Sequence, residues 1–95
     1  MILHTVNKSP YKNRSLINCV RFGQKDDALV LLENGVYAVS HPDLDDLLKS
    51  GIRVFAIEAD MMARGLSHEL NGQVDIISYE QFVGLCVEYP RQKNW

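Results

Sequence analysis

Apolar positions along the chain alternate between short continuous runs and stretches with helical spacing. Ile2 to Val6 is a short apolar opening with a β-branched bias and predicts a first strand. Ser9-Pro10 opens the next segment, with proline in a first turn where a missing N–H costs nothing; Asn13 is an alternative cap. The helix that follows runs to about Phe22 and stops at Gly23, read as a left-handed terminus. Ala28 to Leu32 is unbroken apolar chain, as expected of a strand covered on both faces. Asn34-Gly35 comes next and reads two ways. Flanked by Val30 to Leu32 and Val36 to Val39, it either closes a two-residue hairpin or ends the strand and starts a short helical turn.

The second half is better punctuated. Ser40 and Pro42 precede Asp43, Asp45 and Asp46, acids that suit the positive end of a helix dipole. Leu44, Leu47 and Leu48 form the apolar stripe of that helix, Lys49 sits in its last turn, and Gly51 ends it. Arg53 to Ile57 predicts a strand, Asp60 to Arg64 a short helix ended by Gly65, and Val74 to Ile77 the last strand. Ser78 and Gln81 have the spacing of a capping box, opening a helix that extends to about Glu88 with Pro90 beyond. Strands alternating with helices imply right-handed crossovers. The predicted architecture is one α/β domain over residues 1–95, a three-layer α/β/α sandwich with a mostly parallel sheet of about four strands. Function in such sheets gathers outside the carboxyl ends of the strands, here Asn7 to Tyr11, Glu33 to Tyr37, Glu58 to Met61, and Ser78.

Composition narrows the function classes. At 95 residues, 46% hydrophobic and 23% charged, the chain has the make-up of a folded domain and not of a disordered one. Its longest apolar run, Ala28 to Leu32, is too short to cross a bilayer, and Met1-Ile2-Leu3-His4 lacks the basic head of a signal peptide, so a cytoplasmic location and no membrane partner are expected. A net charge of −2 argues against a general nucleic-acid binder. The charge is unevenly placed: five bases and no acid up to Lys25, then five bases against all twelve acids. That asymmetry either makes a local positive field or solvates one helix face.

Candidate chemistry is sparse. Neither G-x-G-x-x-G nor G-x-x-x-x-G-K nor G-x-S-x-G occurs, so nucleotide enzymes and elbow-type hydrolases are unsupported. Cys19 and Cys86 are too few for a disulfide framework, and His4, His41 and His68 are scattered, so no metal and no cofactor is expected. On a helical wheel Cys19 falls roughly 110° from the centre of the Leu16, Ile17 and Val20 stripe, at the edge of the buried face. Among Lys12, Arg14 and Arg21 it reads either as a thiol favoured as thiolate or as half-buried packing. Cys86, grouped with Tyr79, Phe82 and Val83, reads as core. His4 is either a satisfied, partly buried imidazole or a base for Cys19. Glu33, Glu58 and Asp60 fall at strand ends, where a carboxylate either caps a turn or takes part in acid–base work. Trp95 ends a polar tail as the largest apolar side chain; it either anchors a neighbour or folds back on its own domain, and in both cases orders the tail.

Several segments resemble the TusB/DsrH family of sulfur-relay subunits: Ile2-Leu3-His4-Thr5-Val6-Asn7-Lys8-Ser9-Pro10, Leu32-Glu33-Asn34-Gly35-Val36-Tyr37-Ala38, Asp60 with Ala63-Arg64-Gly65-Leu66, Tyr79 with Phe82-Val83, and the terminal Trp95. They occur in the family's order and span essentially the whole chain. The resemblance implies a DsrE-like fold and a place in a heterohexamer with TusC-like and TusD-like sister subunits, or with DsrF-like and DsrE-like ones. Such an assembly passes persulfide sulfur toward 2-thiolation of the wobble uridine in tRNA, or serves sulfur oxidation in the Dsr branch. It also implies that the main relay cysteine belongs to a partner. Cys19 stands where DsrH-like members carry a cysteine, which makes it the candidate sulfur carrier of this chain. A non-catalytic or auxiliary subunit is expected, with Gly35, Val36, Tyr37 and Trp95 as candidate partner contacts; the alternatives are a stand-alone thiol enzyme whose Cys19 carries persulfide and a small-ligand binding module using the strand-end crevice.

Overall fold

The computed structural model describes residues 1–66 and 72–95. Five strands, β1 (Leu3–Val6), β2 (Ala28–Leu31), β3 (Arg53–Ile57), β4 (Asp75–Ile77) and β5 (Gln92–Asn94), form one sheet in the order β4-β3-β2-β1-β5. Every pairing is parallel. The helices are α1 (Ser15–Phe22), α2 (Asp43–Lys49), α3 (Glu58–Ala63) and α4 (Tyr79–Glu88), with a 3-10 helix at Glu33–Ser40. The α/β architecture is as expected, with one strand more. That extra strand is the polar tail, where nothing in Arg-Gln-Lys-Asn has strand propensity. It pairs because the Leu3 amide donates to Arg91 O and the Trp95 amide to Thr5 O, both at 3.0 Å. Its charged side chains also protect the sheet edge from further pairing.

Alternation along the strands divides the core into two layers. Val6, Leu29, Leu31, Val54 and Ala56 face one way and pack with Leu16 and Cys19 of α1, Val36 and Val39 of the 3-10 helix, Leu44 and Leu47 of α2, and Met61 of α3. Each fully buried leucine there contributes about 1.5–3 kcal/mol. Leu3, Ala28, Val30, Phe55, Ile57 and Ile77 face the other way. Their helical cover, among the described residues, comes from Phe82, Leu85 and Cys86 of α4 and from Tyr89 behind it. Cys86 is therefore half-buried, and not deep in the core as its sequence neighbours suggested.

The structure decides one open reading and changes two local expectations. Asn34-Gly35 forms a helical turn and not a hairpin, and the 3-10 helix crosses the end of β1 so closely that a Cβ on Gly35 would lie 1.9 Å from Val6 O. Gly23 ends α1 in extended backbone (φ −66°, ψ 140°), not left-handed. A Cβ there would meet Cys19 O at 3.0 Å and Ile52 Cδ1 at 2.6 Å, the latter a contact that the end of the Ile52 side chain relieves by shifting. The start of α1 comes at Ser15 rather than near Pro10: Arg14 stands at the cap position without a side-chain cap bond, and Asn13 Oδ1 accepts from the Ser15 amide at 2.8 Å in the turn before it. Elsewhere the punctuation holds: Gly51 and Gly65 are left-handed, and Ser78 with Gln81 makes the capping box in both directions. No helix among the described residues is long and apolar enough to cross a membrane.

Candidate functional site

The carboxyl ends of the strands converge on Asp60. Its Oδ2 accepts from the Glu33 amide at 2.8 Å, and the Tyr79 hydroxyl donates to its carboxylate at 2.8 Å. Glu33 has φ 51°, a left-handed conformation unusual for a non-glycine residue, and its bond to Asp60 holds it there. Arg64 completes the group, donating from Nε to Asn34 Oδ1 at 2.9 Å and from Nη1 to Asp60 O at 3.0 Å. The hydrogen bond to Asp60 raises the Tyr79 phenol above its ordinary value of 10.0, helped by desolvation and by the charges of Asp60 and Glu33. Tyr79 is thus a firmly protonated donor. Of the three strand-end carboxylates, Asp60 works as a strap joining the 3-10 helix, α3 and α4, while Glu58 is exposed. Beside this cluster a cleft of about 360 Å³ is lined by Ser9, Tyr11, Lys12, Asn34 and Tyr37.

A second constellation lies on β1. His4 is 2% exposed and Asp27 4% exposed. His4 Nε2 donates to Asp27 Oδ2 at 2.8 Å, and Asp27 also accepts from the amides of Ile2 (2.9 Å) and Gln24 (3.1 Å). Burial disfavours the Asp27 charge, but the hydrogen bonds from His4, Gln24 and Ile2 and the attraction of His4 outweigh it, so the carboxyl stays below its ordinary 3.8. Trp95 Nε1 donates to His4 Nδ1 at 3.0 Å. Both imidazole nitrogens are committed, and His4 is a structural imidazole, not a base for Cys19. The indole stacks on Phe22 with ring centres 5.6 Å apart, and Lys93 Nζ sits 5.0 Å from its centre. Trp95 therefore folds back on its own chain, as one of the two readings of the tail required. Sequence patterning missed Asp27, whose burial has no local signal beyond an acid placed before an apolar run.

Cys19 is not at a boundary. It is fully buried in the first core layer, and burial with the nearby Asp27 charge pushes its thiol up to about 12. Arg14 and Arg21 lie exposed on the outside of the same helix, where they do not offset that effect. The wheel misplaced Cys19 because it centred the buried face on Ile17 and Val20, which are only half-buried; the buried residues of α1 are Ser15, Leu16 and Cys19. Gly35 and Val36 are also buried, against their own sheet, so these two candidate contacts have no free surface; Tyr37 is half-buried in the cleft wall. His68 lies outside the described residues. Among the described residues no three His, Cys, Asp or Glu side chains converge to hold a metal ion.

The sequence model of DsrH-like proteins matches residues 8–92. The chain belongs to the DsrH-like family. This is the sulfur-relay family whose segments the sequence resembled. Protein TusB of Pectobacterium atrosepticum is 38% identical over 96 aligned residues, covering 99% of this chain and 100% of the relative. Protein TusB of Escherichia coli is 33% identical with the same coverage. The fold resembles the crystal structure of the ychN protein from E. coli, with a TM-score of 0.84 and 19% identity over 99% of this chain and 97% of that one. It also resembles the solution structure of Tm0979 from Thermotoga maritima, with a TM-score of 0.71 and 28% identity over 93% of each chain. In this DsrH-like chain the α1 cysteine lies in the core and a polar network lies at the strand ends.

Proposed function

We propose that this chain is a single-domain, auxiliary subunit of a cytoplasmic sulfur-relay complex. Its partners are TusC-like and TusD-like sister chains in a heterohexamer that passes persulfide sulfur toward 2-thiolation of the wobble uridine in tRNA. The observation that carries this reading is full-length similarity to two TusB proteins at 38% and 33% identity. The chemistry agrees with an auxiliary role. Persulfide transfer needs an accessible thiolate, and Cys19 is neither accessible nor acidic. On this reading the sulfur-carrying thiol belongs to a sister subunit and this chain supplies surfaces; the burial of Cys19 supports it, and of the two cysteines only Cys86 is half-buried. A net charge of −2 gives it no part in gripping the tRNA. The sulfur-oxidation alternative, with Cys19 as carrier, requires α1 to move away from the sheet before its thiol can react.

The test is complementation. Cells lacking the endogenous subunit are given this chain or its Cys19→Ala variant, and 2-thiouridine is measured in digested tRNA. Restoration by both supports the reading. Restoration by the parent chain alone, with the variant unfolding at the same thermal midpoint, assigns the sulfur to Cys19, and restoration by neither removes the tRNA branch.

A further inference from the structure

We infer that the outer face of α4 is a docking surface for a helix of a different polypeptide, one presenting an apolar ridge bordered by Lys or Arg. This rests on the reading of the chain as a subunit of a mixed assembly. α4 is ten residues long, yet none of its residues is buried. Tyr79, Val83 and Val87 are 48%, 61% and 80% exposed. Spaced four apart, they form one continuous ridge. The remaining large exposed apolar side chains, Met1, Tyr11, Phe22 and Met62, sit on four other segments. Phe22 among them is already stacked on Trp95.

The neighbouring ridge is Glu80, Gly84 and Glu88, again four apart and all exposed. Gly84 is a poor residue for a helix interior, and nothing in its own fold requires it: a Cβ there meets no atom within 4 Å. A glycine between two ridge acids opens a notch where a second helix backbone approaches closely. The acids select the partner. Glu80 and Glu88 are equidistant from Gly84, so two copies of α4 crossing there antiparallel set Glu80 against Glu88, and a parallel pair sets each acid against its own copy. Both arrangements juxtapose like charges, which disfavours self-pairing. A foreign helix with bases at matching positions satisfies both carboxylates while burying Val83 and Val87.

The experiment measures the affinity of the purified chain for the pair of sister subunits from the same cell, by calorimetry at low and high salt. Val87→Asp and the double variant Glu80→Lys with Glu88→Lys are compared with the parent. All three positions are exposed, and an unchanged thermal midpoint checks that folding is kept. The expected result is at least a tenfold rise in Kd for each variant, the double variant's loss being larger at low salt. Wild-type-like binding by both variants overturns the docking surface and leaves the subunit reading intact. No binding by the parent chain overturns that reading and the docking surface with it. A parent chain that dimerises by itself, and becomes monomeric on Val87→Asp, shows the face to be homotypic and overturns the proposal.

Discussion

The indole of Trp95 donates to Nδ1 of His4 at 3.0 Å, and that bond dictates the tautomer of a buried imidazole. An indole N–H only donates, so Nδ1 carries a lone pair and the ring proton sits on Nε2, pointing at Asp27. Three distant pieces of chain, the turn before β2, the middle of β1 and the end of the tail, are joined through one ring. Trp95→Phe keeps most of the aromatic surface but leaves Nδ1 without its donor, and is expected to cost about 1–2 kcal/mol. Trp95→Ala also empties the packing on Phe22, for a loss of about 2–4 kcal/mol. Urea unfolding followed by circular dichroism measures both, and equal losses contradict the role of the hydrogen bond.

Asp27 makes the fold sensitive to acid. Its carboxyl is held below 3.8 when folded, so the stabilisation it brings is present above 3.8 and is lost as pH falls through the lower folded value. Asp27→Asn is expected to lower the thermal midpoint at neutral pH and to flatten its decline below 3.8. An unchanged acid limb in the variant contradicts this assignment.

Cys19 is expected to resist alkylation in the folded chain, its thiol being buried and pushed up to about 12. Iodoacetamide at mildly alkaline pH should label the half-buried Cys86 first and reach Cys19 only when urea opens the core. Peptide mass mapping reads the order. Rapid labelling of native Cys19 contradicts the placement.

Two glycines should respond oppositely to the same change. Gly35→Ala places a methyl against the Val6 carbonyl and is expected to destabilise by about 3 kcal/mol or more. Gly84→Ala enters open space in a helix and should stabilise the isolated chain by about 0.5–1 kcal/mol. Thermal or urea unfolding of the two variants checks the signs.

Local rules explain which parts of the fold were legible in the sequence. The run Ala28 to Leu32, the acids before Leu44 and the Ser78–Gln81 box each express their structure within a few residues, and each element formed where expected. β5 did not, since its pairing comes from the exposed backbone of β1 and the grip of Trp95, both far away in sequence. Gly23 was legible as a helix end but not in conformation, since its backbone is extended and not left-handed. At the candidate site the carboxylate of Asp60 was visible at a strand end, whereas its bonds to Glu33 and Tyr79 depend on three elements meeting. Cys19 failed because apolar character alone placed Ile17 and Val20 at the centre of the buried face, whereas α1 docks through Ser15, Leu16 and Cys19.

The most direct measurement is the native mass of this chain purified after co-expression with its two sister subunits at cellular levels. Three different polypeptides in equal numbers, with two copies of each, is the expected spectrum. This chain travelling alone, while the sisters assemble without it, contradicts its place in the relay.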